Sequence, residues 1–387
     1  MSHHQYCHQA AYTHMNPRPH SRTTTFELPV GSDLLYIRSE GSWSGGDLTI
    51  KSSGRQDKST VNVAVTIEYC NKRLLNLFRV CKMQSRRSSG ETGVGIFTPV
   101  DLCRCASCLH SVRVKTVVIF PRGEHLSPLW IKKLETNVDN TDLAIDVDKK
   151  YLCFDYLKLC ATNGQVSSIA PMFMTEGFIQ TSNAGVCGSF MATRNLTVKT
   201  INGSIKGQYV SLSGSLDIET SNSPIEKATF VLENRDASKT SVLKLETCNA
   251  PIDADIYLEG DTRNPKYEIT AQTSNRPLNL SIQTMPVDST LILSGNTSNK
   301  SAYISLPAEY QGSFNVRTYN DRAEVVKSTR RDPRGAGRTR VWWSSSPRNS
   351  KTIVSGLSYW PDGRGDLDVP NGSVALSTSN AKATLEL

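Results

Sequence analysis

The densest grouping of metal-ligating side chains is Cys103-Arg104-Cys105-Ala106-Ser107-Cys108-Leu109-His110. Thiolates and an imidazole so close together could enter a tetrahedral zinc site. C-x-C-x-x-C does not readily close a tetrahedron alone, and the chain has no second paired knuckle. Cys70, Cys81 or His110 could complete it. Cys103, Cys105, Cys108 and His110 are therefore candidate metal ligands, beside the plainer reading of a loop with incidental thiols.

A second grouping is cationic. Lys327, Arg330, Arg331, Arg334, Arg338 and Arg340 surround the single acid Asp332, and Trp342 and Trp343 follow directly. Basic loops with adjacent aromatics can hold phosphates and stack bases or sugars. The plainer reading is a solvated loop, turned by Asp332-Pro333 and Gly335, whose tryptophans open the next strand. These eight residues are the best candidate binding patch.

Catalytic signals are sparse. Gly-x-Ser-x-Gly, a Walker loop and His-Glu-x-x-His are all absent, and no cofactor motif is present. Outside the first 25 residues the only histidines are His110 and His125, so histidine-dependent base chemistry is poorly supplied. Asp253, Asp255, Glu259 and Asp261 form the one acid cluster that a polysaccharide-active enzyme could use; a solvated strand-and-turn face explains them as simply. Arg364-Gly365-Asp366 spells the integrin tripeptide inside a turn and reads as coincidence. The leader residues His3, His4, Cys7, His8, His14 and His20 could chelate a metal loosely.

The elements that would carry these groups are short strands. The hydrophobic share is 38%, much of it Val, Ile and Leu in alternating runs among abundant Ser, Thr and Asn. That balance predicts β-structure with a thin core and a wide polar surface. Residues 1–25 hold five of the seven histidines and no periodicity, and are expected to be a disordered tail. Residues 26–150 read as a β region with polar loops. Leu35–Ile37, Leu48–Ile50, Val61–Tyr69 and Val112–Phe120 are predicted strands, Lys72–Phe78 a short helix and Met83–Gly95 a loop.

From Tyr151 onward the chain repeats itself. Two alternating apolar residues lead to a Thr-x-Asn corner, and an apolar residue follows three positions after the Asn. The corners fall at Asn163 (where Ala161 replaces the Thr), Asn183, Asn202, Asn222, Asn249, Asn275, Asn320 and Asn380, with a degenerate copy near Gly295–Asn299. A basic insertion at about 327–370 precedes the last corner. Asn tolerates the left-handed backbone region and can bond its own turn, which suits a corner. Pro224, Pro251 and Pro277, each two residues past the Asn, stiffen the exit. No unit can bury its own apolar row, so the copies must stack. The expected fold is all-β, a repeat-built β-solenoid-like or stacked-sheet array; a β-sandwich with shared turn chemistry is the alternative.

These strings resemble an uncharacterised basidiomycete fungal family with adhesin-like repeats, a domain of unknown function. The resemblance runs from about Phe26 to Leu387. It rests on the Thr-Ser-Asn-x-Pro-Ile corners, on Gly93-Val94-Gly95-Ile96-Phe97-Thr98-Pro99, on Leu306-Pro307-Ala308-Glu309-Tyr310-Gln311-Gly312-Ser313-Phe314, and on the closing Val374–Leu387 segment. Cys103–His110 departs from the family pattern. The resemblance implies a β-rich repeat fold with no established activity and carries over no functional residue.

The implied function is a non-catalytic, adhesin-like structural or interaction protein with a Ser/Thr/Asn-rich surface. A polysaccharide-active solenoid enzyme and a polyanion-binding module acting through residues 327–340 are the alternatives. No particular partner is indicated; a protein or glycan surface fits, and nucleic acid does not, since a net charge of +8 is modest for 387 residues. No apolar run reaches 18 residues and the first residues lack an apolar signal core, which predicts no transmembrane helix and an intracellular default. On that default the scattered cysteines read mostly as small buried hydrophobes. The six sequons at Asn195, Asn202, Asn279, Asn296, Asn299 and Asn371 would then be idle.

Overall fold

The computed structural model describes residues 20–41, 45–53, 59–69, 72–84, 90–99, 112–124, 127–347, 350–361 and 371–387. Residues 1–19, the Cys103–His110 grouping, His125 and Arg364-Gly365-Asp366 lie outside the described residues. The chain is almost entirely β, with twenty-nine strands and one short helix, Lys72–Leu75, among the described residues.

Alternating apolar residues place one row of side chains on a single face of each strand. One continuous sheet folds into two facing halves, called here the first and second sheets, which share those rows and are joined where Met172–Met174 pairs with Phe190–Ala192. From Leu129 to Ser305 the chain alternates between them: one strand in the first sheet, an Asn corner, one strand in the second. In the first sheet Leu129–Val138, Leu152–Ala161, Met172–Thr181, Asn195–Thr200, Ser215–Thr220, Thr240–Thr247, Lys266–Gln272 and Thr290–Thr297 pair successively in parallel. In the second, Thr141–Asp146, Val166–Ser168, Val186–Ala192, Ile205–Ser211, Ile225–Glu233, Ile252–Glu259, Leu278–Thr284 and Ala302–Ser305 do the same. The same parallel pairing already includes Leu129–Val138 and Thr141–Asp146, ahead of Tyr151.

Between the sheets the apolar rows are dry. Leu159, Ile179, Val198, Ile218 and Leu245 form one buried column, in register across successive strands. Val166, Val186, Ile205, Ile225, Ile252 and Leu278 form its counterpart. Phe190, Tyr209 and Phe230 stack behind it at centroid distances of 6.0 and 5.6 Å. Each fully buried aliphatic or aromatic side chain contributes about 1.5–3 kcal/mol of transfer free energy.

Both ends of the stack are braided. The strands Leu34–Glu40 and Gly46–Ser52 come early in the chain, yet they lie between Glu91–Phe97/Val112–Phe120 on one side and Leu129–Val138/Thr141–Asp146 on the other. The late coil Gly372–Thr378/Ala383–Glu386 likewise lies between Thr290–Thr297/Ala302–Ser305 and Gly312–Thr318/Ala323–Val326. Antiparallel strands then close three of the four ladder ends among the described residues. Arg79–Gln84 closes the first sheet at one end, Thr60–Tyr69 and His20–Pro29 close the second there, and Ile353–Tyr359 with Val341–Ser345 close the first at the other end. Antiparallel closure hides parallel edges that would otherwise invite further strands.

The corners depart from expectation. Of the corner asparagines only Asn140, at φ 51°, has a positive φ among the described residues. The others are selected by their side chains. Each amide nitrogen donates to the amide oxygen one coil back, in the row Asn140, Asn163, Asn183, Asn202, Asn222, Asn249, Asn275, Asn299, Asn380, Asn320. The row follows spatial order, passing through Asn380 before Asn320, and so confirms the braid. The corner threonines are buried. Thr181, Thr200, Thr220, Thr273, Thr297, Thr318 and Thr378 donate their hydroxyls to the backbone carbonyl just past the neighbouring Asn. Their job is to satisfy corner carbonyls inside the core.

Two local expectations are corrected. Within the stretch predicted as a loop, Met83-Gln84 and Glu91–Gly95 instead belong to the antiparallel strands Arg79–Gln84 and Glu91–Phe97, and residues 85–89 lie outside the described residues. Gly93 and Gly95 are packing residues, because a Cβ on Gly93 would sit 2.2 Å from the Tyr36 carbonyl oxygen and one on Gly95 2.4 Å from the Phe97 ring. Residues 20–25 are not tail but the start of the strand His20–Pro29, where three successive threonines favour extended backbone. The helix predicted at Lys72–Phe78 is shorter, Lys72–Leu75.

Candidate functional site

The cationic segment lies against the braided end, with Lys327, Arg331 and Arg334 exposed on its outer side. Ser328 donates its backbone and hydroxyl hydrogens to the Leu387 carbonyl. Arg330 donates to the Ser328 and Ser305 hydroxyls and lies 3.7 Å from Glu386. Arg334 pairs with Asp288. Arg338 forks onto Asp332 at 2.7 Å, with side chains only 12% and 4% exposed, and reaches the Trp360 carbonyl. The Arg338 hydrogen bonds hold the Asp332 carboxyl well below the usual carboxylate range.

Arg340 is also partly buried. It donates to the Tyr310 carbonyl at 2.7 Å and lies over the rings of Trp342 (4.7 Å) and Trp360 (5.6 Å), while its Nε and Nη1 have no partner. Burial, the largest influence, pushes its pKa down to about 10. Lys327 lies 5.6 Å from the Trp342 ring centroid. Trp342 turns inward beside Phe314, and Trp343, in the same strand Val341–Ser345, turns outward and is 63% exposed. The segment thus works as a clamp. Of the eight candidates, Arg331 and Trp343 are exposed and have no recorded partner among the described residues.

The candidate acids sit elsewhere. Asp253, Asp255 and Glu259 alternate outward along Ile252–Glu259, and Asp253 and Asp255 register against Asn279 and Ser281 of the next coil. Asp255 accepts a hydrogen bond from the Gln283 amide at 2.7 Å. No group of three or more His, Cys, Asp or Glu side chains suited to a metal occurs among the described residues. The sequon residues Asn202 and Asn299 belong to the amide row.

A groove that the motif reading missed lies near the other end of the first sheet. Strict alternation breaks at the same level in three successive strands, where Lys132-Lys133, Asp155-Tyr156 and Thr175-Glu176 are paired outward residues. The ladder registers Lys133 with Tyr156 and Tyr156 with Glu176, and skips the residue before each. These irregularities crease the sheet into an open groove of about 560 Å³, lined also by Glu135 and Arg194. Lys132 is tied to Asp33 at 2.7 Å and Arg194 reaches Glu176 at 3.4 Å. Lys133, Glu135, Asp155 and the Tyr156 hydroxyl have no hydrogen bond or ion pair among the described residues. Burial raises the Tyr156 phenol pKa. Beside the groove Trp130, 44% exposed, meets Phe173 edge to face at 5.9 Å, and Cys153, in register with Trp130, is buried, which pushes its thiol pKa up to about 11. The usable signal was the doubled polar residue recurring at the coil period.

Fold and surface together define an all-β protein of stacked parallel strands. A family described as a domain of unknown function (DUF7330) matches residues 194–332, a narrower span than the resemblance above. Three solved structures are similar over most of their length. A candidate cell adhesion protein from Clostridium sporogenes is 9% identical, with 95% of this chain and 99% of that chain covered, at a TM-score of 0.21. A candidate adhesin from Parabacteroides merdae is 12% identical, with 74% and 90% covered, at 0.31. Another from Bacteroides fragilis is 7% identical, with 94% and 96% covered, at 0.24. TM-scores this low carry no argument about function. No curated protein matches the chain.

Proposed function

We propose that this chain is a non-catalytic, adhesin-like β-solenoid scaffold that presents a rigid polar face to a partner surface. The observation that carries the reading is the outer side of the first sheet. There Thr270, Ser294, Ala375 and Asn315 fall in one register row, and Gln272, Asn296, Ser377 and Arg317 in the next. Hydroxyls and amides fixed at strand spacing offer many weak hydrogen bonds whose entropy of ordering is already spent on the fold. A glycan or protein surface suits such a face, and the basidiomycete resemblance gives the proposal a fungal setting. No described helix is long and apolar enough to cross a membrane.

The enzyme reading needs carboxylates facing each other across a cleft, and Asp253 and Asp255 instead stand side by side next to amides. The polyanion reading needs free cations, and the clamp occupies most of those in residues 327–340. The test is co-sedimentation of the purified chain with insoluble cell-wall polysaccharide, with reducing ends measured in the same tubes. Retention without new reducing ends, weakened when Gln272, Asn296 and Ser377 are all changed to Asp, is expected. Release of reducing ends, or retention indifferent to that triple change, overturns the proposal.

A further inference from the structure

We infer that the creased groove around Tyr156 is a binding site for a segment of neutral oligosaccharide. This deepens, and rests on, the reading of the chain as a binding scaffold. Three observations converge. The groove is built by an irregularity repeated in register across Leu129–Val138, Leu152–Ala161 and Met172–Thr181, so a rigid sheet fixes its shape. Its lining carries three cations, Lys132, Lys133 and Arg194, and three carboxylates, Glu135, Asp155 and Glu176. An even balance of this kind has no net pull on a phosphate or sulfate polymer. Aromatic surface is available within the groove at Tyr156, and beside it at Trp130 and Phe173.

Sugars match that combination. Each hydroxyl both donates and accepts, so one residue can give a hydrogen bond to Asp155 or Glu135 and take one from Lys133 with no ion displaced. The C–H face of a pyranose packs on an aromatic ring, and Tyr156 and Trp130 have flat apolar bodies with polar edges. An open groove suits a chain lying along it more than a small molecule enclosed. The unpaired state of Lys133, Glu135 and Asp155 leaves their hydrogen-bonding capacity available for a ligand.

The test is affinity electrophoresis of the full chain in native gels containing laminarin, glucomannan or hydroxyethyl cellulose, with heparin as the charged counterpart. At least one neutral polymer is expected to retard the protein. Tyr156→Ala is expected to weaken that retardation at least tenfold in apparent Kd, and Asp155→Asn severalfold. Arg263→Ala, in the turn between Ile252–Glu259 and Lys266–Gln272 and away from both the groove and the polar face, is expected to leave it unchanged. Asp155 is exposed, so its variant keeps the test decisive if Tyr156→Ala fails to fold. The inference is overturned if no neutral polymer retards the wild type, if heparin alone does, or if retardation survives in whichever of the two groove variants folds. Wall retention that persists in both groove variants but is lost in the Gln272, Asn296 and Ser377 triple variant would refute the groove while leaving the scaffold reading intact.

Discussion

Replacing Asn222 by Ala removes two amide hydrogen bonds at once. Its nitrogen donates to Asn202 at 2.9 Å and its oxygen accepts from Asn249 at 2.9 Å. A typical intramolecular hydrogen bond contributes about 0.5–1.5 kcal/mol net, and exposed amides fall in the lower half because water competes. The expected loss is about 1–2 kcal/mol, read from the urea midpoint by far-ultraviolet circular dichroism at unchanged slope. Asn320 stands at the end of the row and donates only to Asn380, so Asn320→Ala should cost about half as much. Asn222→Asp is a finer probe. As a carboxylate it still accepts from Asn249 but confronts the Asn202 oxygen, whereas the protonated acid can donate to it. Its folded pKa is therefore raised, so the variant should gain stability below about pH 4 relative to neutral pH and lose it as pH rises. If Asn222→Ala lies within ~0.5 kcal/mol of wild type, the ordinary range for surface changes, or costs no more than Asn320→Ala, the amide row does not hold the coils together.

Three further outcomes follow from the packing. Phe230→Ala opens a cavity beside Tyr209 at a fully buried position and should cost about 3–5 kcal/mol in the same urea experiment; a cost under about 1 kcal/mol would contradict the dry core. Deleting residues 383–387 uncovers the parallel edges of Ala302–Ser305 and Ala323–Val326, so size-exclusion chromatography should show aggregates in place of a sharp peak. Asp332 has a depressed folded pKa, so its stabilisation is complete above the ordinary carboxylate value near pH 4 and fades as pH falls below it. Tryptophan fluorescence should report the clamp loosening on acidification, with the step absent in Asp332→Asn.

Much of the fold was legible because alternation and stacking act at the level of single strands. Leu157, Leu159 and their successors could only be buried by the next coil, and they are. The corners were found for a partly mistaken reason: Asn163 and Asn222 look like turn residues, but their amides bond across coils, and a one-dimensional pattern does not reveal partners 20 residues away. The loop predicted over Gly93 and Gly95 failed because glycine reads as flexibility unless the neighbour filling the missing side chain's place is known. The candidate patch at Lys327–Arg340 shows the same limit. Charge density is visible in sequence, whereas the pairing of Arg338 with Asp332 and the enclosure of Arg340 depend on tertiary placement. The groove at Tyr156 is spread over three coils, so no local string announces it.

The braided ends also govern how such a molecule could lengthen. A new coil appended beyond Ala323–Val326 would meet the antiparallel cap of the sister sheet, and one placed after Glu386 would emerge between strands already paired on both sides. Growth is open through the middle, between Leu129 and Ser305, where each added coil can copy its neighbours and supply one more asparagine to the row. The two ends would travel apart unchanged, like bookends around a longer shelf.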